Sequence, residues 1–209
     1  IFQSSARPLF NRVISGLYNP GSTIKPLIGM MSLQEGIMKS NQIIQDCVSI
    51  SISNPFSPNV VYTFKNWRVE LGAFNLRKAI ANSCNIYFFT VAGGVGNIVG
   101  LGIERIAKYL KASFADSVLG VDLPAEARGF VPTPDWKLKT HNEPWYQGDT
   151  YNISIGQGDL SVTPLWLNTY ISAIANGGAV YQPQVVNRII DNDKNTIQTF
   201  PIKILGKFP

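Results

Sequence analysis

The chain has 209 residues, 45% of them apolar and 15% charged, with a net charge of +5. That supports one large folded domain, or a compact domain with an excursion, and excludes a disordered or coiled-coil chain. The basic residues are scattered, with no run beyond pairs such as Arg77-Lys78, so no nucleic-acid partner is expected. A modest positive charge suits an anionic membrane or wall surface equally well.

The opening "IFQSSARPLF" lacks a charged start followed by an apolar core and does not read as a signal peptide. Next, "NPGSTIKPLIGMM" (19–31) runs from a turn into a helix over about 22–35. Ile24, Leu27, Ile28, Met31 and Leu33 recur at helical spacing, Ser22 or Thr23 can cap the start, and Gly36 suits the end. Residues 41–69 change character: "CVSISIS" alternates, "NVVYTF" is β-branched and aromatic, and "NPFSPN" is a turn. They predict a small β-hairpin excursion. Two helical segments follow, 74–82 and 84–92, with Ser83 between them. The uncharged run 86–103 is about long enough to cross a bilayer, but its glycines and Asn97 break it into a buried helix ending near Gly93, a loop and a new helix. In the segment 103–112, Ile103, Ile106, Ala107 and Leu110 share one face. Residues 113–158 read as loop, with prolines at 124, 132, 134 and 144. A helix then starts after Thr163 with Pro164 first and ends before Gly177. Strands over 179–190 and 196–204 flank the turn "DNDKN". The class is α+β, or α/β sandwich-like, with the sheet at an edge.

Two patterns bear on chemistry. Ser22 and Lys25 lie one helical turn apart. One reading is a cap and a solvated lysine; the other is a nucleophile and its base, since a lysine of lowered pKa can take a serine proton. The second pattern is "NSCN" (82–85), which places Ser83 and Asn85 at a junction between helices, or makes Ser83 a plain helix cap. Ser57-Pro58-Asn59, in the hairpin turn, matches the same pattern by accident. His141, the single histidine, sits in the polar stretch "LKTHNEPWYQ" and reads as a surface residue, so a base for covalent chemistry is expected not to be histidine. With only Cys47 and Cys84 beside it, a zinc centre of Cys/His type is not expected, and no cofactor is implied. The two cysteines are free to pair outside the cytoplasm. With Cys84 beside the candidate site, they are expected to stay unpaired.

"YNPGSTIKP", "LRKAIANSCNIYFF", "PWYQGDT", "SIGQGDLSVTPLW" and "AIANGG" occur in this order. Together they resemble the transpeptidase domain of class B penicillin-binding proteins, most closely the elongation-type penicillin-binding protein 2 group, over essentially the whole of residues 1–209. The resemblance implies peptidoglycan D,D-transpeptidation, with Ser22 as nucleophile, Lys25 as its base and Ser83 as proton relay. It gives Asn85 the task of binding the acyl donor's backbone and orienting Lys25, and it puts Gly156, Gln157 and Gly158 on the cleft floor. It further implies stem peptides as substrates, β-lactams as acylating mimics, and the cell-elongation machinery with a glycan polymerase as partners. The location implied is the periplasmic face of the bacterial inner membrane, with the membrane anchor outside this stretch.

Two departures stand out. No Lys-Ser/Thr-Gly occurs: Lys139-Thr140 runs into His141, ahead of the "GQG" segment. The chain therefore reads as a fragment ending before that strand, and activity is expected to be weak or absent, because losing one oxyanion donor costs about 100- to 1,000-fold. In addition, "VELGAFN" holds no Gly-His-Gly, so the family's metal-binding variants gain no support. The competing readings are a β-lactamase, for which no Glu-x-x-x-Asn arrangement is found, a β-lactam sensor, and a non-catalytic peptidoglycan- or partner-binding relative.

Overall fold

The computed structural model describes residues 5, 7–54 and 57–208. Along the chain come α1 (Arg12–Ser15), a 3-10 turn (Gly21–Ile24), α2 (Lys25–Gln34), β1 (Ile44–Asn54), β2 (Ser57–Phe74), α3 (Leu76–Ala81), α4 (Asn85–Gly93) and α5 (Gly102–Ala112). Then follow α6 (Pro134–His141), α7 (Gln147–Ser154), α8 (Pro164–Ala175), β3 (Ala179–Tyr181), β4 (Arg188–Ile190), β5 (Thr196–Thr199) and β6 (Ile204–Lys207). The chain divides into two compact units: residues 20–107 with 132–159, and residues 1–19 with 108–131 and 160–209.

In the first unit α4 is the central element. Ile86 to Ala92 are all buried, the pattern of a helix covered on every side. Helices α2, α3 and α7 and the hairpin β1–β2 pack on it. Phe64 of β2 meets Phe89 and Tyr151 edge-on, which fastens the hairpin to α4 and α7. On α2, Ile24, Leu27, Ile28 and Met31 are buried as their spacing predicts. Leu33 is 41% exposed, because two residues beyond Met31 lies on the opposite face. The helix stops in a Schellman arrangement: Gly36 has φ +65, its N–H reaches Leu33 O, and the Ile37 N–H reaches Ser32 O. The uncharged run 86–103 does break at Gly93, and among the described residues no helix is long and apolar enough to cross a membrane.

The hairpin is longer than its sequence pattern suggests, with strands over 44–54 and 57–74. Pro55 and Phe56, in the expected "NPFSPN" turn, lie outside the described residues, as do Ile1 to Ser4 and Ala6 of the opening stretch. Ser57-Pro58-Asn59 opens β2 rather than forming a turn. The expected loop over 113–158 is corrected by two helices. Each is nucleated locally, α6 by the Thr133 cap and Pro134, and α7 by the reciprocal bonding of Tyr146 and Asp149. Proline content alone hid them, since proline in a first turn starts a helix rather than breaking one.

In the second unit α8 begins as expected, the Thr163 side chain accepting the Trp166 N–H. The Trp166 indole donates to Ser113 O at 2.7 Å and its ring stacks on Tyr170. The C-terminal strands are four short ones rather than two long ones, with β3 paired to β6 and β4 paired to β5 around the Asp191–Asn195 turn.

Candidate active site

Residues 19–31 do not form one capped helix. A 3-10 turn over 21–24 leads into α2 at Lys25, without any side-chain cap; the Thr23 hydroxyl turns back to Pro20 O at 2.7 Å. Pro26 lacks an N–H, but it stands in the first turn of α2, where that costs nothing, and Ser22 O accepts from the Lys25 N–H. The tighter turn leaves Ser22 exposed and Lys25 only 1% accessible, among the buried Ile24, Leu27 and Ile28.

A lysine taken out of water needs acceptors for its three protons. Nζ of Lys25 donates to Asn85 Oδ1 at 2.6 Å, to Ser83 O at 2.8 Å and to Ser83 Oγ at 2.9 Å. The Phe88 ring lies 5.4 Å away. Burial lowers the ammonium pKa from 10.5 to about 8. Ser83 Oγ donates in turn to Ser22 Oγ at 3.0 Å, so the middle serine bridges the lysine and the exposed hydroxyl.

The junction between α3 and α4 makes this possible. Ser83 adopts φ +53, a left-handed conformation that costs a residue with a Cβ about 1–2 kcal/mol. Its N–H and that of Cys84 fold back onto Ile80 O and Ala79 O. That kink aims the carbonyl and hydroxyl of Ser83 at one ammonium. Ser83 therefore does not cap α4; Cys84 occupies the cap position.

The cysteines overturn their expectation. Cys47 of β1 and Cys84 form a disulfide across 5.8 Å between their Cα atoms. The register of the hairpin breaks on both sides of Cys47, which is buried and so comes to the one residue between Ser83 and Asn85.

Gly156 has φ +71, and its carbonyl accepts the Gly21 N–H at 2.9 Å. A Cβ at 156 would collide with the Gly21 backbone, so only glycine lets this loop press on the turn that carries Ser22. Gln157 and Gly158 are exposed beyond it and take no part in the Lys25 network. His141 ends α6 and is exposed, and Lys139-Thr140 is exposed on the same helix, in no strand.

The "PWYQGDT" stretch is scaffolding. The Asp149 carboxylate accepts from Lys137 Nζ at 2.6 Å and from the Tyr146 N–H at 2.7 Å, while Gln147 donates to Gly93 O and Gly94 O. It also borders a cavity of about 650 Å³ lined by Tyr62, Phe64, Trp145, Tyr146 and Asn152 among others. Sequence reasoning missed Asn66, whose Oδ1 accepts the Asn85 N–H at 2.9 Å, and nothing local to β2 signals it.

Comparison with known proteins gives this mixed fold and its serine–lysine arrangement a family. The model of the penicillin-binding protein transpeptidase domain matches residues 2–204, and the chain belongs to that family. Among curated relatives, the peptidoglycan D,D-transpeptidase MrdA of Acinetobacter baumannii is 33% identical over 196 residues, 93% of this chain and 28% of that protein. Among solved structures, Pseudomonas aeruginosa PBP2 in complex with WCK 5153 gives a TM-score of 0.80 at 30% identity, over 99% of this chain and 41% of that one. Helicobacter pylori PBP2 in complex with MreC gives 0.75 at 32% identity, over 94% and 32%. The chain thus spans 28% of the length of the MrdA relative it matches.

Proposed function

We propose that this chain carries the acylation centre of a peptidoglycan D,D-transpeptidase of the elongation type, with Ser22 as nucleophile. The observation that carries this reading is the lysine: a cation buried to 1% exposure, with a pKa brought down to about 8 and its protons directed at Ser83 and Asn85, is costly for stability and useful for proton transfer. With Lys25 neutral, its lone pair accepts from Ser83 Oγ as Ser83 accepts from Ser22. The Ser22 oxygen then bonds to the carbonyl carbon of the penultimate D-alanine. When the C–N bond breaks, the proton returns from Lys25 through Ser83 to the departing nitrogen, leaving acyl-Ser22 and free D-alanine. An amine from a neighbouring stem peptide takes the acyl group by the reverse path. A β-lactam enters in the same way, but its leaving nitrogen stays tethered. Asn85 orients Lys25 and binds the donor backbone; Gly156 fixes the turn under Ser22, with Gln157 and Gly158 on the cleft floor.

The disulfide supports an oxidising compartment, and hence the periplasmic face of the inner membrane, with the anchor outside this stretch. Cell-elongation proteins are proposed as partners by analogy with the PBP2–MreC complex, and a glycan polymerase by analogy with the related peptidoglycan synthase complex. Intact-protein mass after incubation with penicillin tests the central reading. One adduct per chain, absent in Ser22→Ala, is expected; a folded protein that never gains mass favours the non-catalytic relative.

A further inference from the structure

We infer that the β1–β2 hairpin is part of the catalytic apparatus: Asn66, together with the Cys47–Cys84 disulfide, is the positioning element that holds Ser83 and Asn85 against Lys25. The inference rests on the proposed role of Ser22 and extends it to residues that no motif contains.

Helix α4 starts at Asn85, so the Asn85 N–H has no partner within the helix. Asn66 supplies one from another element. Its Oδ1 accepts that N–H at 2.9 Å, while its Nδ2 donates to Arg68 O at 2.7 Å and fixes which way the amide faces. The reach comes from a break in register. Lys65 pairs with Ser49 and Glu70 with Cys47, so residues 66–69 stand against Val48 alone. Such a bulge re-aims side chains. Asn66 and Arg68 face the junction, Arg68 donating to Asn82 Oδ1 at 3.2 Å and to Glu70 at 2.6 Å. Val69 faces away, 70% exposed, and the Trp67 ring packs against the Arg68 guanidinium, which lies 4.4 Å from the ring centroid.

Three links from the hairpin therefore meet three of the four consecutive residues 82–85: Arg68 on Asn82, Cys47 on Cys84, and Asn66 on Asn85. Between them lies Ser83, in a left-handed conformation that persists only where its surroundings over-determine it. Ser83 and Asn85 are also the residues that receive all three Lys25 protons. Loosening the brace lets both acceptors drift from the ammonium, which changes the proton path from Ser22 and not merely the stability of the fold.

The test compares second-order acylation by penicillin G, across pH, in the 209-residue chain and its variants. Asn66→Leu removes both bonds at similar volume and is expected to slow acylation about ten- to a hundredfold, with a displaced pH midpoint. Asn66→Asp, which restores the acceptor, regains most of the rate. Val69→Ala, in the same bulge but facing outward, keeps the wild-type rate. Reductant slows the wild type and leaves Cys47→Ala unchanged. A folded Asn66→Leu protein with wild-type rate and midpoint overturns the inference. If the wild type itself never acylates, the reading of Ser22 fails instead, and amide exchange at Asn85 decides on the brace: faster exchange in Asn66→Leu supports it, unchanged exchange refutes it.

Discussion

The two halves of the site are held by different physics. Ser22 and Lys25 are placed by helix α2, whose apolar face is buried, and by the four-residue 3-10 turn that leads into it. Ser83 and Asn85 stand on a strained junction held by single polar bonds and one covalent link from a strand pair. Core packing distributes its contribution over many contacts, whereas a brace concentrates it in a few. The apolar face of α2 should therefore tolerate single changes, whereas the junction should not.

The largest expected effect comes from the lysine. Lys25→Met keeps the volume but removes the proton acceptor, and acylation should fall by about 100- to 10,000-fold. Its stability should also part from the wild type in a defined pH window. A lysine whose folded pKa is about 8 against 10.5 unfolded binds fewer protons in the folded state between those values. Wild-type stability should thus rise relative to Lys25→Met as pH goes from about 8 to 10.5, a divergence seen in urea titrations at several pH values.

Gly156→Ala comes next. Its Cβ must displace either the loop or the Gly21 turn, and a shift near 1 Å at Ser22 costs about 100-fold in acylation rate. Removing the disulfide, which closes a separation of 37 residues, should cost about 2–4 kcal/mol, read as a lower denaturation midpoint under reducing conditions. The smallest effect belongs to the other unit. Thr163→Ala loses the α8 cap at about 1 kcal/mol, read in the same titrations, while acylation stays unchanged. An acylation loss from Thr163→Ala equal to that from Gly156→Ala would erase the distinction between local and global effects.

Much of the first half was legible. The proximity of Ser22 and Lys25, the burial of Ile24, Leu27, Ile28 and Met31, the Gly36 stop and the break at Gly93 follow from short-range spacing and turn chemistry. The uncapped 3-10 turn, the burial of Lys25 and the exposure of Leu33 do not. The pairing of Ser83 with Asn85 was legible as a motif, but not the left-handed kink that aims it. The brace was not legible at all. Asn66 lies 19 residues from Asn85 and Cys47 lies 37 from Cys84, and both arrive through a register break that alternation cannot reveal. The expectation of unpaired cysteines failed for that reason: proximity to a reactive centre argued for a free thiol, while strand geometry had already put its partner beside it.

The most direct measurement is the rate of Ser22 acylation by a penicillin as a function of pH, in conditions where the protein stays folded. If neutral Lys25 receives the serine proton, the rate should climb from about pH 6 and level off with a midpoint near 8, following its lowered pKa. A rate that is flat across that range, or one that still climbs towards the ordinary lysine value, would contradict Lys25 as the base.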